Sequence, residues 1–160
     1  MWVGQFSQKW MFHECWIICL FECMARFIAN HKMALSGTDG PECFNYMLID
    51  DDSRRVGSKY THDRPDGDLA EGWYRFINKK RMWNSCIPSY ECNVMYPGWL
   101  EGAHPSVWQG RVTRRVCFGR KWISSTCCNY NTQITVRNCG SFYVYKLKPT
   151  PAGSLRYCTN

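Results

Sequence analysis

The side chains best able to do chemistry in this sequence are its cysteines. Beyond residue 40 they are Cys43, Cys86, Cys92, Cys117, Cys127, Cys128, Cys139 and Cys158, eight in all. Sulfur at this density can hold a metal, act as a nucleophile or oxidise in pairs. Zinc sites need closely spaced ligand pairs, and the chain has no Cys-x-x-Cys. An oxidised sulfur cannot attack an electrophile. Disulfides in an oxidising compartment are the reading that uses all eight. Eight cysteines still allow on the order of a hundred pairings. One constraint is physical. Cys127 and Cys128 are adjacent, and a trans peptide holds their Cα atoms about 3.8 Å apart, short of normal disulfide separation. They should bond to different partners.

Other chemical candidates are weaker. His104 sits in the turn sequence Gly102-Ala103-His104-Pro105 with no second His or carboxylate beside it, a poor general base. Asp50, Asp51 and Asp52, and then Asp63, Asp66 and Asp68, do not follow the spacing of an EF-hand loop; turn chemistry accounts for the second group. Serine-hydrolase, phosphate-loop and metalloprotease motifs are absent from the sequence, so no catalytic residue, metal ligand or cofactor site is assigned. Nucleic-acid binding is not expected, because an oxidised module with no finger spacing does not fit it.

Charge is distributed unevenly. Residues 1–73 carry seven Lys/Arg against eleven Asp/Glu, whereas 74–160 carry thirteen against two. The basic set Arg111, Arg114, Arg115, Arg120, Lys121, Arg137, Lys146 and Lys148 is the best pointer to a partner. Guanidinium forks suit sulfate and carboxylate groups, so an acidic glycan or an acidic extracellular protein is the expected ligand class. In a second reading the acidic stretch 39–71 folds back over these cations and neutralises part of the charge.

Few strong elements position these groups. Residues 1–36 read as a degenerate leader or an amphipathic helix. Trp16, Leu20, Cys23 and Phe27 fall at helical spacing, with Cys15, Cys19 and Cys23 on one face. Its apolar core is too short to span a bilayer. Residues 37–42 read as a linker and 50–68 as loop. Strand-forming runs follow at Gly72–Ile77, Gln133–Arg137 and Ser141–Leu147. In the first, Trp73 and Arg75 should face one side while Tyr74 and Phe76 face the other. Those aromatics read as core and interface residues rather than a ligand platform, and Trp99, beside Pro97 and Gly98, as a loop plug. The fold class expected is mainly β: a small, disulfide-rich extracellular domain with long loops, plus an N-terminal helix.

The order of motifs carries a resemblance. Cys43-Phe44-Asn45-Tyr46 is followed by Leu48 and Arg54, and later by Gly72-Trp73-Tyr74-Arg75-Phe76. Next come Cys86-Ile87-Pro88, Cys92 and Trp99-Leu100-Glu101-Gly102-Ala103-His104-Pro105-Ser106. Then follow Cys127-Cys128, Asn138-Cys139-Gly140, Tyr143-Val144-Tyr145 and Leu155-Arg156-Tyr157-Cys158. This resembles the eight- or ten-cysteine domain of the uromodulin and pancreatic zymogen-granule glycoprotein family, over residues 43–160. The resemblance implies a secreted, non-enzymatic recognition or adhesion module, or a structural spacer of a larger mosaic protein. It also implies the pairs Cys43–Cys139, Cys86–Cys127, Cys92–Cys158 and Cys117–Cys128. Typical members carry two further cysteines, at positions corresponding here to His62-Asp63 or Asp66 and to Gly153, and bridge them to each other. Where relatives have a Gly-rich turn, this chain has Asn78-Lys79-Lys80-Arg81. The family's N-glycosylation site falls at Lys146, and no Asn-x-Ser/Thr acceptor occurs in the sequence, so a displayed glycan is not expected.

Overall fold

The computed structural model describes residues 40–119 and 127–160, together with Met24 and Arg26. The expected N-terminal helix, the cysteines at 15, 19 and 23, and Arg120 and Lys121 lie outside these residues. What is described is mainly β. Seven strands form one mixed sheet: β1 (Met47–Ile49), β2 (Gly72–Phe76), β3 (Tyr96–Leu100), β4 (Arg111–Phe118), β5 (Tyr130–Asn138), β6 (Tyr143–Leu147) and β7 (Leu155–Tyr157). Their order across the sheet is β1-β2-β6-β5-β4-β3-β7. β1 runs parallel to β2 and β7 parallel to β3, and the inner pairs are antiparallel.

Period-two patterning decides which face is buried. Val116 and Phe118 of β4, Ile134 and Val136 of β5, Tyr145 and Leu147 of β6, and Tyr74 and Phe76 of β2 point to one side and form the main core with Leu100, Leu155 and Tyr157. Burying each such side chain contributes about 1.5–3 kcal/mol. The core is unusually aromatic, and its tyrosines keep their polar tips satisfied. Tyr74 donates to Ala70 O at 2.8 Å and Tyr157 to Lys148 O at 2.9 Å. The Tyr145 hydroxyl accepts from Met82 N at 3.1 Å. β3 fits between β4 and β7 because residue 98 is glycine: a Cβ there would strike the Phe118 ring and the Arg156 carbonyl.

The stretch read as linker is partly structure. Pro41–Cys43 form a 3-10 turn, and Glu42 is only 1% exposed. A buried carboxylate needs partners, and Glu42 finds them in two arginines of the sheet. Long loops connect the strands, as the 50–68 region indicated. Within it, Asp52–Arg54 make one short 3-10 turn, with Asp51 accepting from Ser53 N at 3.0 Å as its cap.

Four disulfides hold these loops: Cys43–Cys139, Cys86–Cys127, Cys92–Cys158 and Cys117–Cys128, with Cα separations of 5.7, 5.9, 6.0 and 4.8 Å. The adjacent Cys127 and Cys128 therefore tie two different segments to one point.

Candidate functional site

The face opposite the core is where the cations gather. Strand register places Arg111 beside Arg137, and Thr113 beside Thr135. It continues from Thr135 to Lys146 and from Lys146 to Trp73. Side chains two apart share a face, so Arg115 joins Arg111 along β4 and Arg75 joins Trp73 along β2. Arg111, Arg115, Arg137, Lys146 and Arg75 thus come from four adjacent strands to one side of the sheet. Arg75 was not among the sequence candidates, although its alternation with Tyr74 and Phe76 was legible.

Each cation meets a carboxylate or a ring. Arg111 donates twice to Glu42, at 2.8 and 2.6 Å, and Arg137 donates to the same carboxylate at 2.8 Å. The Arg111 hydrogen bonds, aided by Arg137, hold the Glu42 carboxyl well below its ordinary 4.5, at about 2. Arg115 forms a two-pronged pair with Glu101, at 2.7 and 2.6 Å, which also lowers the Glu101 carboxyl. Lys146 faces Glu71 at 3.3 Å. Arg75 donates to the Tyr46 hydroxyl at 2.9 Å and lies 3.9 Å over the Phe142 ring, while its Nε is buried without a partner. Trp73 has the Arg111 guanidinium 5.8 Å from its ring. Trp73, Tyr46 and Phe142 pack around the Cys43–Cys139 bridge. The pairing does not hide the charges: the side chains of Arg111, Arg115 and Lys146 stay 52%, 47% and 47% exposed.

The remaining sequence candidates lie elsewhere. Arg114 points to the other face and donates to Ala103 O at 3.1 Å. Lys148 follows β6 and is partly buried. His104 packs on Tyr143, ring centres 4.6 Å apart, with its Nε2 3.0 Å from the Tyr145 hydroxyl. Burial, with Arg81 and Arg114 near, pushes His104 down to about 4. The ring is therefore neutral, and it accepts the Tyr145 proton while that hydroxyl accepts from Met82. This is the geometry of a core contact. Trp99 donates its indole N–H to Cys127 O at 3.2 Å, plugging a loop. The aspartates are occupied as well: Asp51 by Ser53 and Arg156, Asp66 by Arg54, and Asp63 by Tyr60 and Ser154. Among the described residues no cluster of His, Cys, Asp and Glu could hold a metal ion, and no helix is long and apolar enough to cross a membrane.

Sequence comparison adds an independent finding. Residues 74–159 match the family model of the uromodulin-like cysteine-rich domain. The pancreatic secretory granule membrane major glycoprotein GP2 of Canis lupus familiaris is 41% identical over 121 residues, covering 74% of this chain and 23% of that protein. Uromodulin of Mus musculus is 44% identical over 92 residues, covering 56% of this chain and 14% of that protein. The chain thus spans less than a quarter of the length of these relatives.

Proposed function

The chain belongs to the family of uromodulin-like cysteine-rich domains, and from this premise we propose that it is a non-enzymatic recognition module that contacts an acidic glycan or an acidic protein. Its family is one of domains of secreted or membrane-anchored glycoproteins, and the four disulfides fit an extracellular setting. The observation that supports recognition is the outer sheet face. Arg111, Arg115 and Lys146 reach it from neighbouring strands and remain half exposed. A sulfate or carboxylate presented there would share guanidinium donors with Glu42 and Glu101. Arg120 and Lys121 belong to the same proposal by sequence.

A second reading has its own observation. Every cation of this face already has an internal carboxylate or ring, as expected of a structural spacer whose surface charge is solvated and self-matched. Retention on a sulfated-polysaccharide column separates the two. Recognition by this face predicts elution well above physiological salt, moving to lower salt when Arg115 and Lys146 are both changed to Ala. Elution of both proteins at low salt would leave the spacer reading.

A further inference from the structure

The clearest excess of positive charge over its carboxylates lies away from the outer face. Asp52, Arg55, Val56, Gly57, Ser58, Asn78, Lys79, Lys80 and Asn160 line a cleft of about 690 Å³. Backbone geometry builds it. Thr159 pairs with Arg55 on one side, in parallel, and with Met82 on the other, antiparallel. The chain's last residues therefore form a floor between the 54–58 loop and the 78–81 turn. Asn160 is pinned there, donating its N–H to Arg81 O at 3.1 Å and accepting from Arg81 N at 2.8 Å.

The 78–81 turn is the segment where this chain departs from the Gly-rich turn of the family it resembles. Lys80 N donates to Ile77 O at 3.1 Å, and Asn78 and Lys79 both take left-handed backbone, with φ of 57° and 59°. This is a type I′ turn, which glycine takes without strain. Asn tolerates it; Lys at its second position does not favour it. The backbone thus carries a cation at a turn tip where glycine would sit more easily.

Three cations line the cleft and one carboxylate opposes them. Lys80 pairs with Asp52, which is itself 86% exposed. Arg55 and Lys79 are exposed and have no side-chain partner among the described residues. Asn78 and Asn160 add amide donors. Val56 is the one large apolar side chain in the lining, and no aromatic ring is present. A protein partner would lack an apolar anchor here, and a neutral sugar would lack a stacking surface. Charge and hydrogen bonds are what the cleft offers, and its size suits one or two sugar units. The geometry points to a second anion site: the cleft between Arg55 and the Asn78–Lys80 turn binds the sulfate group of a sulfated glycan. Arg55 supplies the fork, Lys79 the point charge, and Lys80 becomes a third contact when the incoming sulfate displaces Asp52. This site needs nothing from the outer face.

The test is calorimetric titration of the full chain with a sulfated oligosaccharide at moderate salt. Arg55→Gln and Lys79→Gln should each weaken binding about 3–10-fold with an unchanged melting temperature. Asp52→Asn should tighten it, because Lys80 is released. The Arg115→Ala, Lys146→Ala double variant should bind as the parent does. Weakening by the outer-face variant alone would overturn the cleft site while upholding the outer face. Loss on Asp52→Asn, no binding at all, or equal displacement by a polyglutamate peptide would also overturn it.

Discussion

Two clamps hold the loops against the sheet, and each combines one disulfide with one buried carboxylate. At the first, Cys43–Cys139 stands next to Glu42, which is shared by Arg111 and Arg137. At the second, Cys92–Cys158 stands beside Asp66, which accepts both prongs of Arg54 at 2.6 Å and Tyr157 N at 2.9 Å. The difference is access to water. Arg111 is half exposed and can turn outward, whereas the side chains of Arg54 and Asp66 are 9% and 4% exposed. A pair with a solvent route costs little to break; a fully enclosed pair leaves an uncompensated charge. The second clamp also stands at one of the places where typical family members carry an extra bridge. Here Asp66 N donates to Leu155 O and Thr150 N donates to Asp66 O, at 2.8 and 3.2 Å, so hydrogen bonds join segments that a disulfide could join. Space is open around Gly153 on the facing loop.

The largest effect expected from this contrast is at Asp66. Asp66→Asn keeps the shape and removes the charge, leaving Arg54 enclosed without its counter-ion. Oxidised protein should lose about 3–5 kcal/mol in urea denaturation. A loss below about 1 kcal/mol would mean that water reaches Arg54 and that the two clamps are equivalent.

Glu42 should respond less, and with a distinctive pH signature. Glu42→Gln should cost about 2 kcal/mol at neutral pH, because Arg111 can be rehydrated while Arg137 cannot. The folded carboxyl lies at about 2 against an ordinary 4.5. A lowered folded value stabilises above the ordinary value, and that stability is lost as pH falls from 4.5 toward 2. Denaturation of the parent should therefore steepen across that window, and the Gln variant should be flatter there. Parallel pH profiles would break the assignment of acid lability to this clamp.

These contrasts were only partly legible beforehand. Family and class were, because aromatic and cysteine motifs carry them, and β2, β5 and β6 announce themselves by β-branched and aromatic residues. Tyr74 and Phe76 do face the core, as alternation requires. β4 was hidden by Arg111, Arg114 and Arg115, which break the apolar pattern of an otherwise central strand. β3 was hidden by Pro97 and Gly98, ordinarily poor in a sheet interior; the close fit of Gly98 to Phe118 and β7 is a tertiary reason that no local window contains. Carboxylate partners were the least readable. Glu42 lies 69 residues from Arg111 and 95 from Arg137, so charge asymmetry suggested a fold-back without saying which acid meets which base. The cleft shared by Arg55 and Lys79 depends on Thr159 bridging two segments, again a contact without a sequence signature.

The smallest effect closes the comparison from the exposed side. Arg115 and Glu101 make a pair with geometry as good as that at Asp66, two prongs at 2.7 and 2.6 Å. Both side chains are nearly half exposed, at 47% and 43%. If hydrogen-bond geometry set the contribution of an ion pair, Glu101→Gln would rival Asp66→Asn. If enclosure sets it, water replaces the lost partner and salt screens what remains. The expected result is a urea midpoint indistinguishable from the parent, alongside the large loss at Asp66. Comparable losses at the two sites would show that geometry, not solvent access, distinguishes the ion pairs of this domain.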